Sequence, residues 1–209
     1  MQEEYLIIEN LEDTEATPMI TPSEVIEFIY CPRFTYFLNC LNISQNEHLR
    51  YKVLKGREIH ERKEKTNTDY LRKRLGVVKK ELSVYVASRK YRIRGVIDEV
   101  LFLNDGTLAP FDYKYTEYTD FTFKTHKIQS TLYALLIKEN YKSEVKKGFI
   151  CYVKNGNKVK EIIYNENDFI EALSIVERIF KIIEKGFFPE RTKNEIRCID
   201  CCYRNICPK

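Results

Sequence analysis

Tryptophan is missing from this chain of 209 residues, and glycine occurs only seven times, proline six times and methionine twice. Each scarcity excludes something. The seven glycines never fall in a G-x-x-x-x-G-K-[ST] pattern, so there is no P-loop and no nucleotide-driven motor. No run of about 18 apolar residues exists, which excludes a membrane-spanning helix. The opening Met1-Gln2-Glu3-Glu4 is acidic where a secretory signal is basic. Seven cysteines is an odd number, which argues against a secreted disulfide framework. These features lead us to expect a cytoplasmic protein. The first twenty residues also lack any lysine or arginine. The formal net charge of +4 is therefore carried by a body more basic than the total suggests. Its basic residues cluster at Lys52 to Lys65, Arg72 to Arg74, Lys79-Lys80, Arg89 to Arg94 and Lys124 to Lys127.

Hydrophobic periodicity and turn signals divide the rest. Residues 1–20 read as a loose lead-in. Thr21-Pro22-Ser23-Glu24 has the threonine, proline and glutamate of a helix start, and the helix is expected to reach Leu41 with a bend at Pro32. A charged helix is expected from Glu47 through His60 to near Leu75. Strands follow at Val77 to Ala87, Tyr91 to Leu103 and Thr107 to Thr116, the last two joined at Asn104-Asp105-Gly106. Thr125 to Tyr141 reads as a helix, Val145 to Tyr164 as a hairpin around Asn155-Gly156-Asn157, and Asn167 to Lys185 as a helix stopped by Gly186. This order defines an α/β fold.

The chemistry concentrates at Asp98 and at Asp112-Tyr113-Lys114. Asp98 interrupts the apolar run Gly95-Val96-Ile97, where a charge is costly unless paired or bound to metal. Side chains alternate along a strand, so Asp112 and Lys114 share a face. Two carboxylates and an amine at a sheet edge can hold a hard divalent cation and a water beside a phosphodiester. Gln129 and Tyr133, four apart on a helix, can address the same point. A second constellation closes the chain: Cys198-x-x-Cys201, then Cys207 and Pro208. Soft thiolates take zinc or an iron–sulfur cluster, and three need a fourth, with Cys31, Cys40, Cys151 and Cys202 as candidates.

In order, His60, Gly95 to Asp98, Asp112 to Lys114 and Gln129 to Tyr133 resemble the RecB-type branch of the PD-(D/E)xK nucleases. That branch shows a histidine, then G-x-x-D, (D/E)-x-K and Q-x-x-x-Y. The length, the missing P-loop and the terminal cysteines narrow the resemblance to the Cas-four family of CRISPR-associated exonucleases. It implies a restriction-endonuclease-like core, a central mixed sheet flanked by helices, over residues 21–188, with an iron–sulfur tail over residues 189–209 closing onto Cys31. His60, Asp98, Asp112 and the Tyr113 carbonyl would be ligands of Mn²⁺ or Mg²⁺. Lys114 would position the attacking water, with Gln129 and Tyr133 orienting the lysine or the DNA backbone. Cys31, Cys198, Cys201 and Cys207 would hold the cluster, four-iron or two-iron, leaving Cys40 and Cys151 as structural thiols. The implied activity is exonucleolytic cleavage of single-stranded DNA, trimming prespacer ends alongside the CRISPR integrase. Similar nucleases serve viruses or DNA repair, and a vestigial member could act as a DNA-binding subunit. The sequence departs from the family pattern in having aspartate at 112 where glutamate is common, and Thr116 where glycine often stands. Tyr113, Tyr115, Tyr118, Phe121 and Phe123, flanked by lysines, would suit base stacking in a single-strand channel as well as core packing.

Overall fold

Helix α1 (Pro22–Tyr30) starts where its sequence says. The Thr21 hydroxyl accepts the Glu24 amide at 3.2 Å, the Glu24 carboxylate accepts the Thr21 amide at 2.7 Å, and Pro22 occupies the first turn. The computed structural model describes residues 17–45 and 72–208. Most of the expected lead-in, the Lys52 to Lys65 cluster and nearly all of the charged helix, with His60, lie outside the described residues.

α1 does not bend through to Leu41. Cys31 is extended at φ −160, because a following proline disfavours the helical conformation. The chain re-enters helix as α2 (Arg33–Thr35), which runs into a π-helical turn over Tyr36–Cys40.

Five strands form one sheet in chain order: β1 (Val77–Ser88), β2 (Ile93–Leu103), β3 (Leu108–Lys114), β4 (Lys147–Tyr152) and β5 (Lys158–Ile163). All pairs are antiparallel except β3 and β4, which are parallel. A parallel pair needs a crossover, and α3 (Lys124–Tyr141) supplies it. α4 (Glu166–Lys185) follows with a capping box between Asn165 and Asp168, and ends at Gly186 with φ 61. The tail adds one turn, α5 (Ile196–Ile199). The result is an α/β fold with a mixed five-stranded sheet, as expected.

α3 is enclosed: every residue from Ile128 to Ile137 is buried. The apolar ones other than Leu135 join the main core with Ile20, Val25, Ile97, Ile150, Ile175 and Ile179. The polar ones must find partners. Thr131 bonds back to the Lys127 carbonyl at 2.8 Å, and Ser130 meets Tyr164 at 2.5 Å. A smaller core of Leu101, Phe111, Tyr113, Phe149 and Cys151 covers the other face of the sheet.

One irregularity shapes the site. Alternation along β2 would put Ile97, Glu99 and Leu101 on the same face. Instead Ile93 and Ile97 join the main core while Leu101 and Leu103 join the smaller one. Across the ladder, between the pairs Leu82–Glu99 and Val84–Ile97, Ser83 adopts a left-handed φ of 50. The two strands turn over together there, and Asp98 stands at the turn-over.

Candidate active site

The β2–β3 ladder stops at Glu99–Phe111, so Asp98 and Asp112 stand just past its last rung. β3 continues against β4 alone, through Asp112–Ile150, Tyr113–Cys151 and Lys114–Tyr152. The sheet opens between β2 and β3, and the Tyr113 amide donates to the Asp98 carboxylate at 2.8 Å across the opening. Asp112 is buried, and its carboxylate oxygen lies 2.6 Å from the Lys114 ammonium. The same ammonium donates to the Gln129 carbonyl at 2.5 Å, and the Gln129 amide reaches the Tyr133 hydroxyl at 3.4 Å. Burial pushes the Tyr133 phenol far above its ordinary range, and the nearby charges of Asp112 and Asp98 push it further. At neutral pH it is a hydrogen-bond donor and never a base.

Asp98, Asp112, Tyr113, Lys114, Gln129 and Tyr133 are therefore brought to one opening; His60 lies outside the described residues. Gly95 lies close under Pro22 and Tyr133. A Cβ there would sit 3.4 Å from the tyrosine ring and 3.2 Å from Pro22. Among the described residues, no three His, Cys, Asp or Glu side chains converge on one point as ligands of a single metal ion would.

His126 is the neighbour that the sequence reading missed. Its Nδ1 lies 3.4 Å from the Tyr152 hydroxyl. Burial lowers its pKa to about 4, and the Lys114 charge adds to the effect, so the imidazole is neutral at pH 7. The signal was available: His126, Gln129 and Tyr133 are spaced three and four apart, one face of a helix.

Behind the site, the Tyr113 side chain enters a buried ionic network on the opposite face. Glu99, 1% exposed, accepts from Arg72 at 2.7 Å and from the Tyr113 hydroxyl at 2.5 Å, with Lys80 at 3.9 Å. Arg72 also stacks 3.8 Å over Phe111. The aromatic loop after β3 divides. Tyr113 is core, Tyr118 packs on Tyr152 at 5.6 Å, and only Phe121 and Phe123 present large exposed rings.

The cysteines meet elsewhere. Cys31, Cys198, Cys201 and Cys207 line one cavity of about 430 Å³, together with Arg33, Arg191, Arg197 and Arg204. Cys202 does not line it. The Thr192 amide points at the Cys31 sulfur at 3.4 Å, and Arg33 at the Cys207 sulfur at 3.2 Å. Cys151 is buried in the smaller core, and the Cys40 thiol, pushed up by burial, faces the Ile182 carbonyl at 3.7 Å. The tail is tied to α1 by the Tyr30 hydroxyl on the Arg197 carbonyl (2.6 Å) and by Arg197 on the carbonyls of Ile29 and Tyr30 (3.0 and 2.8 Å).

A mixed sheet that opens beside an aspartate pair, with a lysine two residues on and a helix behind, is the architecture of a nuclease class. Residues 21–208 match the PD-(D/E)XK nuclease superfamily, and the chain belongs to it. Within that class it is 26% identical over 183 residues to the CRISPR-associated exonuclease Cas4 of Francisella tularensis subsp. novicida (strain U112). The alignment covers 87% of this chain and 89% of that protein and supports assignment to the Cas4 family. Two crystal structures share the fold. SSO0001 has a TM-score of 0.61 at 14% identity, covering 93% of this chain and 88% of that one. A Eubacterium rectale protein has a TM-score of 0.59 at 17% identity, covering 99% and 96%. Among the described residues no helix is long and apolar enough to cross a membrane.

Proposed function

We propose that the protein is a divalent-metal-dependent exonuclease acting on single-stranded DNA, which trims prespacer ends for CRISPR spacer acquisition in the cytoplasm beside the integrase complex. The observation that carries this reading is the Lys114 ammonium held between Asp112 and Gln129 at the place where the sheet opens beside Asp98.

The donor set suits a hard cation, with one carboxylate buried and the other at the opening of the sheet. Asp98, Asp112, the Tyr113 carbonyl and His60 would hold Mn²⁺ or Mg²⁺, which polarises a phosphodiester and makes water a stronger acid. Imidazole is a softer donor than oxygen, which favours Mn²⁺. The remaining work falls to the chain. Lys114 places positive charge where the phosphorane develops negative charge and holds the incoming water in line. Gln129 keeps the ammonium from collapsing wholly onto Asp112. Tyr133, held protonated, accepts from the Gln129 amide and keeps its own proton to donate to a phosphate oxygen. Asp98 is oriented by the Tyr113 amide, and the Arg72–Glu99 network fixes the far end of that tyrosine.

Cys31, Cys198, Cys201 and Cys207 hold an iron–sulfur cluster, four-iron in preference to two-iron. The four thiols ring a cavity instead of meeting at a point, as a multi-atom cluster requires. Arginines and amide donors around them offset thiolate charge. On this reading residues 189–209 close onto Cys31, and residues 21–188 form the nuclease body.

The test is degradation of end-labelled single-stranded DNA with Mn²⁺ by anaerobically purified wild type and Asp112→Ala. Wild type alone should cleave, with a loss of at least about 100-fold in the variant. Equal cleavage by both would remove the site assignment, and cleavage by neither would remove the enzyme assignment.

A further inference from the structure

A second concavity, of about 680 Å³, lies between α1, α4 and the segment from Phe187 to Lys193, with Lys124 at one end. Its walls carry five cations against two acids, and one of those acids, Glu171, is paired with Lys124 at 2.5 Å. Arg178 lies 5.0 Å over the Phe28 ring, and the Phe187 ring is 42% exposed. Lysines and arginines beside the reachable ring of Phe187 suit a nucleic-acid strand, which offers both phosphates and a base face. An acidic peptide would use the charges and leave the Phe187 ring idle.

The groove and the active site share one helix. Lys124 opens α3, the helix that carries His126, Gln129 and Tyr133. The residue before it, Phe123, stacks edge-on against His126 at 5.3 Å and against Phe121 at 4.9 Å, and Phe121 is 61% exposed. An exposed aromatic pair therefore stands between His126, which it touches, and Lys124, next in the chain. At its far end the groove shares Arg191 and Thr192 with the cysteine cavity, where the Thr192 amide faces Cys31.

We infer that this groove is the track of the single strand outside the active site. The strand leaves the catalytic opening over Phe121 and Phe123 and lays its phosphates along Lys124, Arg178, Lys181 and Lys193, with a base against Phe187. The inference rests on the single-strand nuclease reading. It assigns α4, which bears none of the proposed catalytic residues, a role in substrate binding. It also puts the strand beside the loop that abuts the cluster.

The experiment compares wild type with the triple variant Arg178→Ala, Lys181→Ala, Lys193→Ala, three exposed side chains whose loss, including the Arg178 contact with Phe28, should lower the melting temperature by no more than about 4 °C. Binding of fluorescein-labelled (dT)20 is followed by anisotropy in EDTA from 0.1 to 1 M salt. Each phosphate contact on a single strand contributes about 0.7 to the logarithmic salt slope. Three lost contacts should flatten the slope by about 2, which corresponds to about 100-fold weaker binding at 0.1 M if the two proteins converge at 1 M. Phe187→Ala should weaken binding at least about fivefold with the slope unchanged. The triple variant should hydrolyse thymidine 5′-(p-nitrophenyl phosphate), too short to reach the groove, at the wild-type rate with Mn²⁺. A triple variant that binds (dT)20 within twofold of wild type at the same slope overturns the track and leaves the groove to a protein partner. Groove-dependent binding without hydrolysis of either substrate by wild type would sink the nuclease reading and leave the track standing.

Discussion

Gly148, at the second position of β4, is forced by a contact that has nothing to do with turns. A Cβ there would lie 2.0 Å from the Tyr164 hydroxyl oxygen, 2.9 Å from the Ser130 hydroxyl and 3.0 Å from the next atom of the tyrosine ring. Tyr164 cannot simply step aside. Its hydroxyl is buried, lies 2.5 Å from the Ser130 hydroxyl and donates to the Ser130 carbonyl at 3.1 Å. Gly148→Ala therefore either overpacks the core, at about 1–3 kcal/mol, or breaks the hydroxyl pair, at about 1–3 kcal/mol for a buried group left unsatisfied. We expect a loss of about 1–3 kcal/mol in urea denaturation. Tyr164→Phe alone should cost about 1 kcal/mol. In the double variant the worst contact is gone, so the combined loss should fall short of the sum by about 1–2 kcal/mol. Strict additivity would refute the reasoning. Because Ser130 adjoins Gln129, Gly148→Ala should also lower nuclease turnover per folded molecule, and Tyr164→Phe should restore part of it.

Cys198→Ser should abolish the visible absorption of anaerobically purified protein, lower its iron content and lower its melting temperature by about 2–4 °C for each kcal/mol of closure lost. An equally coloured variant, or an unshifted melting temperature, would contradict the role of the tail. His126 makes stability depend on pH. Its folded pKa is depressed to about 4 from 6.5, so its contribution is complete above pH 6.5 and is lost as the pH falls towards 4. Up to about 3 kcal/mol should disappear across that window in urea titrations with EDTA, and His126→Asn should show a correspondingly shallower fall. Identical profiles would mean that the imidazole is far better solvated than its surroundings suggest.

The element order was legible because its signals are local. Thr21-Pro22-x-Glu24 announces a helix start, Gly186 announces a stop, and strand alternation marks β1 to β3. The proposed site residues were legible as an ordered set, and the structure brings six of them to one opening. What escaped depends on three-dimensional circumstance. The turn-over at Ser83 and Asp98 breaks an alternation that the residue types themselves do not break. Cys31 ends α1 because of its neighbour Pro32, a rule that competed with the helical periodicity running on to Leu38 and lost to it in the reading. Asn165 was passed over as N-cap because the apolar rhythm starts only later. Nothing local marks Glu99, because its partners Arg72 and Lys80 come from well upstream and no short window contains all three.

The ties that close the tail onto α2 span long stretches of sequence: 156 residues from Arg33 to the Pro189 carbonyl and 175 to the Pro208 carbonyl. Read as a timetable, they rule on the order of events during synthesis. Cys31 emerges 167 residues before Cys198, roughly 8–33 s ahead at ordinary elongation rates. For that interval it is a lone thiol with none of its three companions made. The strands and α3 can pair meanwhile, because their partners are nearby in sequence. A ribosome that stalls before Cys198 would therefore leave a nuclease body with an open seam, and the proposed cluster could be completed only once Cys207 is made.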